Sequence, residues 1–342
     1  MTRSHIDLRL AKRRTVRTDH SCVSIAPLTE NANIPVAIQP SIKSLRLDEW
    51  ARDNLETINH TLRLHGAILF RGFDVAGQDD MQSFTAAIGL EPMRYMEGAT
   101  PRKALGDGVF TSTEFPPEHA IALHNENSYV MTWPMKICFC CVVAPEVGGE
   151  TPIGDVRGVL GRISVDVRRR FEEKGYMLAR NFSEHLGLTW QQSFHVSTPE
   201  ELERYCEQAR IRLEWTGPDQ IRTSQVRPAI TRHPYTGDEL WFNHIAFWHV
   251  SSLDENVRKV LLAEYSEYGL PYNVYYGDGE AIEPAVCERL RAAYEAETVK
   301  FAWQRGDILL LDNMRVAHGR SAFSGPRKIL VSMGEPFTRT DC

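Results

Sequence analysis

Three side chains that lie far apart in the sequence could bind one metal ion, and that requirement restricts the fold more than any other feature of the chain. His124 and Glu126 are separated by one residue, and His318 lies far downstream. On a β-strand, side chains at positions i and i+2 share a face, so His124 and Glu126 are predicted to reach one ion while Asn125 points away. Two imidazoles and one carboxylate form the facial triad that holds non-haem Fe(II) with open coordination positions. The fold must therefore bring a third ligand from a distant strand to this pair.

The H-x-E pair is a weak signal alone, because the chain has twelve histidines and an ordinary hydrogen-bonded histidine is the simpler interpretation. The residues around the H-x-E pair strengthen its interpretation as part of a metal site. The pair lies within the run from Thr111 to Tyr129, which contains Glu114-Phe-Pro-Pro and Leu123-His-Asn-Glu. Other short motifs flank this run in a fixed order: Gly66–Phe73, Gly148–Thr151, Arg227–Ala229, Trp241–His244, Asp312–Arg320 and Gly325–Lys328.

This ordered series, spanning roughly residues 60–335, resembles the taurine dioxygenase-like (TauD/TfdA) family. Within that family it is most similar to the subgroup of the syringomycin-biosynthesis hydroxylase. The resemblance implies an α+β chain with a mainly β core, a double-stranded β-helix (jelly roll) with helical insertions. It implies an oxygenase that uses Fe(II), 2-oxoglutarate and O₂. The expected reaction is hydroxylation of an unactivated C–H bond in an amino acid or amino-acid-derived substrate of specialised metabolism, either free or tethered to a carrier protein.

The resemblance also implies roles for individual residues. His124, Glu126 and His318 would be the iron ligands. Thr151 would hydrogen-bond one carboxylate oxygen of 2-oxoglutarate, and Arg327 would pair with its distal carboxylate. A guanidinium suits that task because its planar fork can grip a carboxylate with two hydrogen bonds.

Three departures and alternatives bear on the chemistry. Lys328 is the alternative partner of the cosubstrate if the alignment shifts by one position. Some family members carry a second arginine four positions further on, where this chain has Val331 or Ser332, which weakens the case for a sulfonate substrate. Related halogenases leave the carboxylate position open for chloride, so Glu126 disfavours halogenation.

Candidate substrate residues are polar side chains close in sequence to the expected site: Glu114, Asn127, Tyr129, Asn243 and Arg315. Asn127 stands where the subgroup often has methionine, which indicates a more polar pocket. Arg180 lies on an inserted segment that is expected to act as a lid, although a structural role is its simpler interpretation.

Two other functions stay open. The same iron site could catalyse desaturation, cyclisation or C–C cleavage, because the outcome depends on the placement of the substrate C–H bond. A catalytically silent binding protein on the same scaffold is the alternative of another class, and the intact His124, Glu126 and His318 argue against it.

Residues 1–44 are predicted to be a loosely organised N-terminal extension, and residues 45–342 a single oxygenase domain with a helical or lid insertion at about 156–225. Hydrophobic periodicity and breaker residues predict the elements. Helices are expected at 47–65, 78–89, 156–176, 197–213, 254–267 and 280–296, and strands at 67–70, 121–130, 135–143, 301–303, 308–311 and 328–333.

Composition limits the partners and the location. The net charge of −6 argues against nucleic acid as the main partner, which would need a basic face. The chain contains no apolar run of about 18 residues, so no membrane helix is predicted. The basic N-terminus lacks the hydrophobic stretch of a secretory signal. We expect a cytoplasmic protein, and a homo-oligomer is compatible with the sequence. Cys138, Cys140 and Cys141 lie in an apolar run, so we interpret them as small core residues rather than as a metal or redox site.

Overall fold

The strands form one large sheet and several smaller ones. The computed structural model describes residues 22–339, except 31, 94–95, 99–103, 107, 113–114 and 184–186. Its strands are β1 Val23–Thr29, β2 Ala32–Pro40, β3 Ala67–Phe70, β4 Ala104–Gly106, β5 Val109–Thr111, β6 Ile121–His124, β7 Thr132–Val143, β8 Val147–Gly148, β9 Ile153–Asp155, β10 Tyr176–Phe182, β11 Arg212–Gly217, β12 Gln220–Arg227, β13 Thr231–Arg232, β14 Glu239–Leu240, β15 Tyr272–Tyr276, β16 Ile308–Asp312, β17 Val316–Arg320, β18 Phe323–Ser324 and β19 Lys328–Thr338. Its α-helices are α1 Leu47–Asp53, α2 Leu55–His65, α3 Gln78–Ala87, α4 Val156–Arg162, α5 Val165–Lys174, α6 Trp190–Phe194, α7 Pro199–Gln208, α8 Ile245–Trp248, α9 Glu255–Glu264 and α10 Pro284–Ala296.

The large sheet has the strand order β1-β2-β3-β16-β7-β19-β5-β4. The pair β2–β3 is parallel, and the other neighbours are antiparallel. Strand β3 and strand β16 are apolar in almost every position and buried along their whole length. A strand that is covered on both faces shows such a continuous apolar run instead of alternation, so these strands lie in the middle of the sheet.

A smaller three-stranded sheet, β6-β17-β9, holds two of the predicted iron ligands. Strand β17 directly follows β16 through a short turn, so the large sheet and the small sheet are joined at Asn313–Arg315. Gly319 on β17 is required there, because a Cβ atom at that position would lie 2.5 Å from the carbonyl oxygen of Ile121 on β6. The close approach of these two strands sets the spacing of the ligands they carry.

The N-terminal helical segment differs in one detail from the prediction. A break at Asn54 divides the expected helix 47–65 into α1 and α2, and the Asn54 amide donates to the carbonyl of Trp50 at 2.9 Å. Gly66 ends α2 in the left-handed conformation at φ 79°, as the sequence predicted. A Cβ atom at Gly66 would lie 2.7 Å from Val316, so the end of this helix also packs closely against β17.

The prediction of a loosely organised segment at 1–44 was wrong for the part that the structure describes. Residues 23–29 and 32–40 form β1 and β2, and β2 pairs with the buried strand β3. Residues 34–38 are buried although Pro35 lies among them. The prolines suggested irregular chain, but proline is compatible with strands near a sheet edge. Residues 1–21 lie outside the described residues.

The predicted insertion at about 156–225 is only partly helical. It includes α4 to α7, but also β10, β11 and β12, which join β15 in a four-stranded sheet of order β11-β12-β10-β15. The expected helix 156–176 is two helices, and the expected helix 197–213 ends at Gln208. Thr198 and Glu201 form a capping box at the start of α7. The division of the chain into an extension, one domain and a lid stays a prediction.

Other element boundaries also differ. The strand expected at 121–130 ends at His124, and residues 301–303 form no strand, although Phe301 and Trp303 are buried. The segment 90–120, for which no helix or strand was expected, contributes the short strands β4 and β5 to the large sheet.

The cysteine cluster is part of the hydrophobic core, as predicted. Cys138 and Cys140 pack on one face of β7, while Cys141 packs on the other. Burial raises the pKa of Cys140 to about 12, so its thiol stays protonated at neutral pH. Within the described part of the chain, no helix combines the length and the apolar character needed to cross a bilayer.

Candidate active site

The two neighbouring ligand candidates do not share a strand. His124 is the last residue of β6, and Glu126 lies in the turn that follows, so the strand alternation invoked for this pair was wrong. Asn127 adopts the left-handed conformation at φ 57°, which turns the chain back immediately after Glu126. The turn still brings the side chains together, with 4.0 Å between Nε2 of His124 and a carboxylate oxygen of Glu126.

His318 completes the group from the adjacent strand. It lies directly opposite His124 in the antiparallel pair β6–β17, and the centroids of the two rings are 4.7 Å apart. One ligand atom from each of His124, Glu126 and His318 lies within 4.8 Å of the other two. Two imidazoles and a carboxylate at this spacing fit a single Fe(II) ion on one face of its coordination sphere.

A hydrogen bond selects the tautomer of His124. Its Nδ1 lies 2.9 Å from the carbonyl oxygen of Ala122, so Nδ1 carries the proton and donates it. The Nε2 atom is then unprotonated and available to a metal, an arrangement that is typical of metal-binding histidines.

The turn that carries Glu126 is held by Asn313, from the turn between β16 and β17. The Asn313 amide oxygen accepts from the backbone N–H of Glu126 at 2.8 Å, and its NH₂ group donates to the carbonyls of Glu126 and Pro134. Asn125 donates in return to the carbonyl of Asn313 at 2.7 Å. Both asparagine side chains are fully buried, so these bonds fix the position of Glu126 relative to the strand of His318.

Asp312 stabilises the same turn. One carboxylate oxygen accepts from the backbone N–H groups of Met314 and Arg315, and the other lies 3.0 Å from Nε2 of His233. Asp312 therefore stabilises the turn that precedes His318, and its side chain is not one of the three iron ligands.

The predicted cosubstrate residues lie in the same cavity as the ligands. Thr151 and Arg327 line it together with His124, Glu126 and His318. The Thr151 hydroxyl accepts from the indole N–H of Trp303 at 3.2 Å, which leaves its own proton free to donate to a carboxylate.

Arg327 is a partly buried cation whose described hydrogen-bond partners are neutral. Its Nε donates to the carbonyl of Gly149 at 2.9 Å, and one Nη lies 3.4 Å from the hydroxyl of Ser112. Burial and the nearby Arg320 lower the pKa of Arg327 to about 10. Among the described residues it forms no ion pair, so an incoming carboxylate would supply the missing negative charge. Lys328, the alternative partner, is exposed on β19.

The five substrate candidates occupy different environments. Glu114 lies outside the described residues. The Asn243 side chain bonds the carbonyl of Ala229 and the N–H of Ile245, and Arg315 pairs with Asp155 at 3.2 Å. The polar groups of Asn243 and Arg315 thus bond other residues of the protein in this structure.

Tyr129 and Asn127 are closer to the ligands. The Tyr129 ring packs on His244, with centroids 4.9 Å apart, and its hydroxyl donates to the carbonyl of Glu97. The Asn127 side chain is buried, and its amide has no hydrogen-bond partner among the described residues. Their roles toward a substrate stay predictions.

The sequence did not lead us to predict the aromatic wall beside His124, which consists of His244, Phe247 and Trp248. The ring centroids of Phe247 and His244 lie 5.1 Å and 5.8 Å from that of His124, and Trp248 lies 4.5 Å from His244. Burial and the neighbouring His124 hold the pKa of His244 well below its ordinary value, so the ring is neutral. The aromatic-rich run Trp241–Trp248 was the available signal.

Comparisons with known proteins agree with this geometry. The family profile described as "Taurine catabolism dioxygenase TauD, TfdA family" matches residues 24–333. The dapdiamide synthesis protein DdaC of Enterobacter agglomerans is 36% identical over 313 residues, covering 92% of this chain and 94% of that protein. A clavaminate synthase-like protein of Arabidopsis thaliana is 30% identical over 315 residues, covering 89% and 91%.

A solved structure shares the fold. PvcB, described as an Fe, alpha-ketoglutarate dependent oxygenase from an isonitrile synthetic pathway, superposes with a TM-score of 0.56 over 98% of both chains at 15% identity. A taurine dioxygenase from Burkholderia xenovorans gives a TM-score of 0.53 over 93% of this chain and 91% of that one, also at 15% identity. The predicted jelly-roll core with added helices is confirmed by these likenesses.

Proposed function

The chain belongs to the taurine catabolism dioxygenase TauD, TfdA family, as its motifs predicted, and from this premise we propose that it hydroxylates an unactivated C–H bond of an amino acid or amino-acid-derived molecule. It is an Fe(II)- and 2-oxoglutarate-dependent oxygenase with an intact facial triad. The finer likeness to the syringomycin hydroxylase remains part of the proposal, because the relatives found include a protein of dapdiamide synthesis instead.

One observation carries the proposal: a single cavity is lined by His124, Glu126, His318, Thr151 and Arg327. The first three would hold iron. The other two offer a hydroxyl proton and a guanidinium, which suit the two carboxylates of 2-oxoglutarate. Residues on β6 and β17, in the turn after β6, and in the segments just before β9 and β19 thus meet in the arrangement that the overall reaction needs.

When bound, Fe(II) and 2-oxoglutarate supply the oxidising chemistry, in which O₂ and 2-oxoglutarate give succinate and CO₂ while the substrate C–H becomes C–OH. The protein's own part is to bind and orient. Asn313 fixes the Glu126 turn, and the Ala122 carbonyl keeps Nε2 of His124 unprotonated. Apolar side chains of Phe139, Ile329 and Val331 line the cavity and limit its hydration.

The substrate class rests on the relatives. One relative is a protein of dapdiamide synthesis, and one structural neighbour belongs to an isonitrile synthetic pathway. We therefore expect a small molecule of specialised metabolism, free or tethered to a carrier protein, and an enzyme that works in the cytoplasm. The Val at position 331 gives no charged partner for a sulfonate.

Substrate-stimulated succinate release tests the proposal. Purified protein is incubated with Fe(II), 2-oxoglutarate, O₂ and a set of free and carrier-bound amino acids, and product masses are measured. Hydroxylation adds one oxygen atom, whereas desaturation or cyclisation removes two hydrogens and C–C cleavage gives smaller fragments. His318→Ala should abolish both succinate release and the visible charge-transfer band of the anaerobic complex.

His119→Ala is the matched control, since His119 is exposed near the cavity and is no ligand candidate. It should keep both signals. A wild-type protein without a charge-transfer band and without succinate would be a silent binding protein, and the proposal would then be wrong.

A further inference from the structure

Arg180 on β10 is a buried cation that has only neutral hydrogen-bond partners. Its side chain donates to the carbonyls of Glu97 and Gly98 at 3.1 and 3.0 Å, and to the hydroxyl of Ser193 at 3.1 Å. Only 6% of the residue is exposed. A guanidinium has five N–H donors, and none of the bonds it makes with described residues uses Nε. Within the described part of the chain it forms no ion pair, and the hydrogen-bond acceptors that the structure shows for it are uncharged.

The acidic residue Glu97 adjoins Arg180, since its backbone carbonyl accepts one of these hydrogen bonds. The Glu97 carboxylate accepts from the hydroxyl of Tyr205 at 2.9 Å, not from Arg180. Burial raises the pKa of Glu97, although Tyr205, Arg180 and Arg227 act in the opposite direction. Among the described residues, no carboxylate bonds the Arg180 guanidinium directly, and burial of a cation favours the binding of an anion to it.

A chain of aromatic rings connects Arg180 to the iron ligands. Arg180 lies opposite Tyr272 in the antiparallel pair β10–β15, so both side chains share one face of the sheet. The Tyr272 ring lies 5.6 Å from that of Trp248, Trp248 lies 4.5 Å from His244, and His244 lies 5.8 Å from His124. This aromatic wall thus links the sheet of Arg180 to the ligand His124, and the cavity of Arg327 has no described lining residue from the four-stranded sheet.

We propose that Arg180 binds a carboxylate of the organic substrate, at a distance from the carbon that is oxidised. This inference rests on the proposed function. A charge-assisted bond to a carboxylate would neutralise the buried guanidinium and orient one end of an elongated molecule. The aromatic wall would contact its middle part, and the other end would reach the iron. The substrate class that fits is an amino-acid derivative with a free carboxylate, such as an N-acyl amino acid or a dipeptide.

This proposal distinguishes the free substrate from the carrier-tethered substrate, a choice that membership of the family does not decide. An amino acid tethered to a carrier has its α-carboxyl group in a thioester, which carries no negative charge. Arg180 therefore favours the free acid over the tethered form. It would also take over the anion-binding task for which this chain has no arginine at position 331 or 332.

The test compares acids with their uncharged amides. The probes are N-acetyl alanine, leucine, phenylalanine and glutamine, each as the free acid and as the C-terminal amide. Dissociation constants are measured by calorimetry on the anaerobic enzyme with Fe(II) and 2-oxoglutarate. Wild type should bind at least one acid about 10-fold or more tightly than its amide, and Arg180→Gln should lose that preference, since bonds to charged groups typically account for about 10- to 100-fold in affinity.

Arg222→Gln is the matched control, because Arg222 lies on the opposite face of the same sheet and bonds Asn181 at 3.0 Å. It should keep the preference for the acid. If Arg180→Gln does not fold, Arg180→Lys replaces it, and the ratio of amide to acid dissociation constants should fall about threefold or more, because lysine cannot reproduce the planar fork.

A wild-type protein with no preference for any acid overturns the inference, and so does a variant at Arg180 that keeps the wild-type ratio. The charge-transfer band of the same samples separates the two proposals. If the band forms without a preference for acids, the inference about Arg180 fails and the oxygenase stands. If wild type forms no band, the proposed function fails.

Discussion

Replacing Asn313 with alanine should weaken iron binding more than its effect on folding explains. The side chain makes three hydrogen bonds of 2.8 to 2.9 Å, two of them to the backbone of Glu126, and it is fully buried. The variant leaves one N–H and two carbonyl groups without that partner. Each buried group left unsatisfied costs about 1–3 kcal/mol, so we expect a loss of about 3–5 kcal/mol in the free energy of unfolding, measured with urea.

The same substitution frees the turn that positions the Glu126 carboxylate. Loss of groups that orient a metal ligand typically lowers metal affinity about 10- to 100-fold, and we expect a change in that range. It is measured by anaerobic competition for Fe(II) with a chromophoric chelator, on protein shown to be folded by circular dichroism.

Asn243→Ala provides a matched control. Asn243 is equally buried and also bonds backbone groups, at Ala229 and Ile245, but its hydrogen bonds with described residues involve neither the Glu126 turn nor β17. It should lower stability by about 2–3 kcal/mol and leave iron affinity unchanged. If Asn313→Ala loses stability but binds iron as tightly as wild type, Asn313 does not position Glu126 and the reasoning is refuted.

Three further predictions concern the cosubstrate and the core. Arg327→Met should weaken 2-oxoglutarate binding about 10- to 100-fold, as expected for a bond between charged groups, whereas Lys328→Met should not; titration of the charge-transfer band decides between them. Thr151→Val removes one hydrogen bond to a carboxylate, about 1.5–3 kcal/mol, so the same titration should show roughly a 10- to 100-fold loss; an unchanged affinity would exclude the hydroxyl from the site. Burial raises the pKa values of Cys140 and Cys287 from 9.0 to about 12, so the folded protein retains these protons. Their contribution to stability is complete below pH 9 and is lost as the pH rises toward 12. Urea titrations across this range, with thiol-reagent labelling of the folded protein, would contradict this if stability stayed flat or the thiols reacted at pH 8.

The sequence predicted the iron ligands because a motif carries them, and it predicted local stops where one residue determines the conformation. Gly66 ends α2 at the place where the helix was expected to stop. These features depend on neighbours in the chain. The correct prediction of Cys138 as a core residue has the same origin, since its apolar surroundings are visible in the sequence.

The features that could not be predicted depend on distant contacts. Asn313 and Glu126 are 187 positions apart, and no local pattern shows that one holds the other. Because the hydrogen bonds from Asn313 hold the backbone of Glu126 without strand pairing, Glu126 lies in a turn, whereas the H-x-E spacing predicted a strand. The strands β1 and β2 were missed for a related reason: pairing with β3 outweighs the local signal of Pro35 and Pro40.

The four-stranded sheet β11-β12-β10-β15 gives no iron ligand, and none of its described residues lines the cosubstrate cavity. It nevertheless carries Arg180 and Tyr272. If Arg180 binds the substrate as proposed, mutations in this sheet alter which molecules are accepted while the oxidation chemistry is inherited unchanged. Selection acting on this one module would let related organisms diversify their products from a common catalyst, and the same separation gives protein engineers a defined segment to randomise.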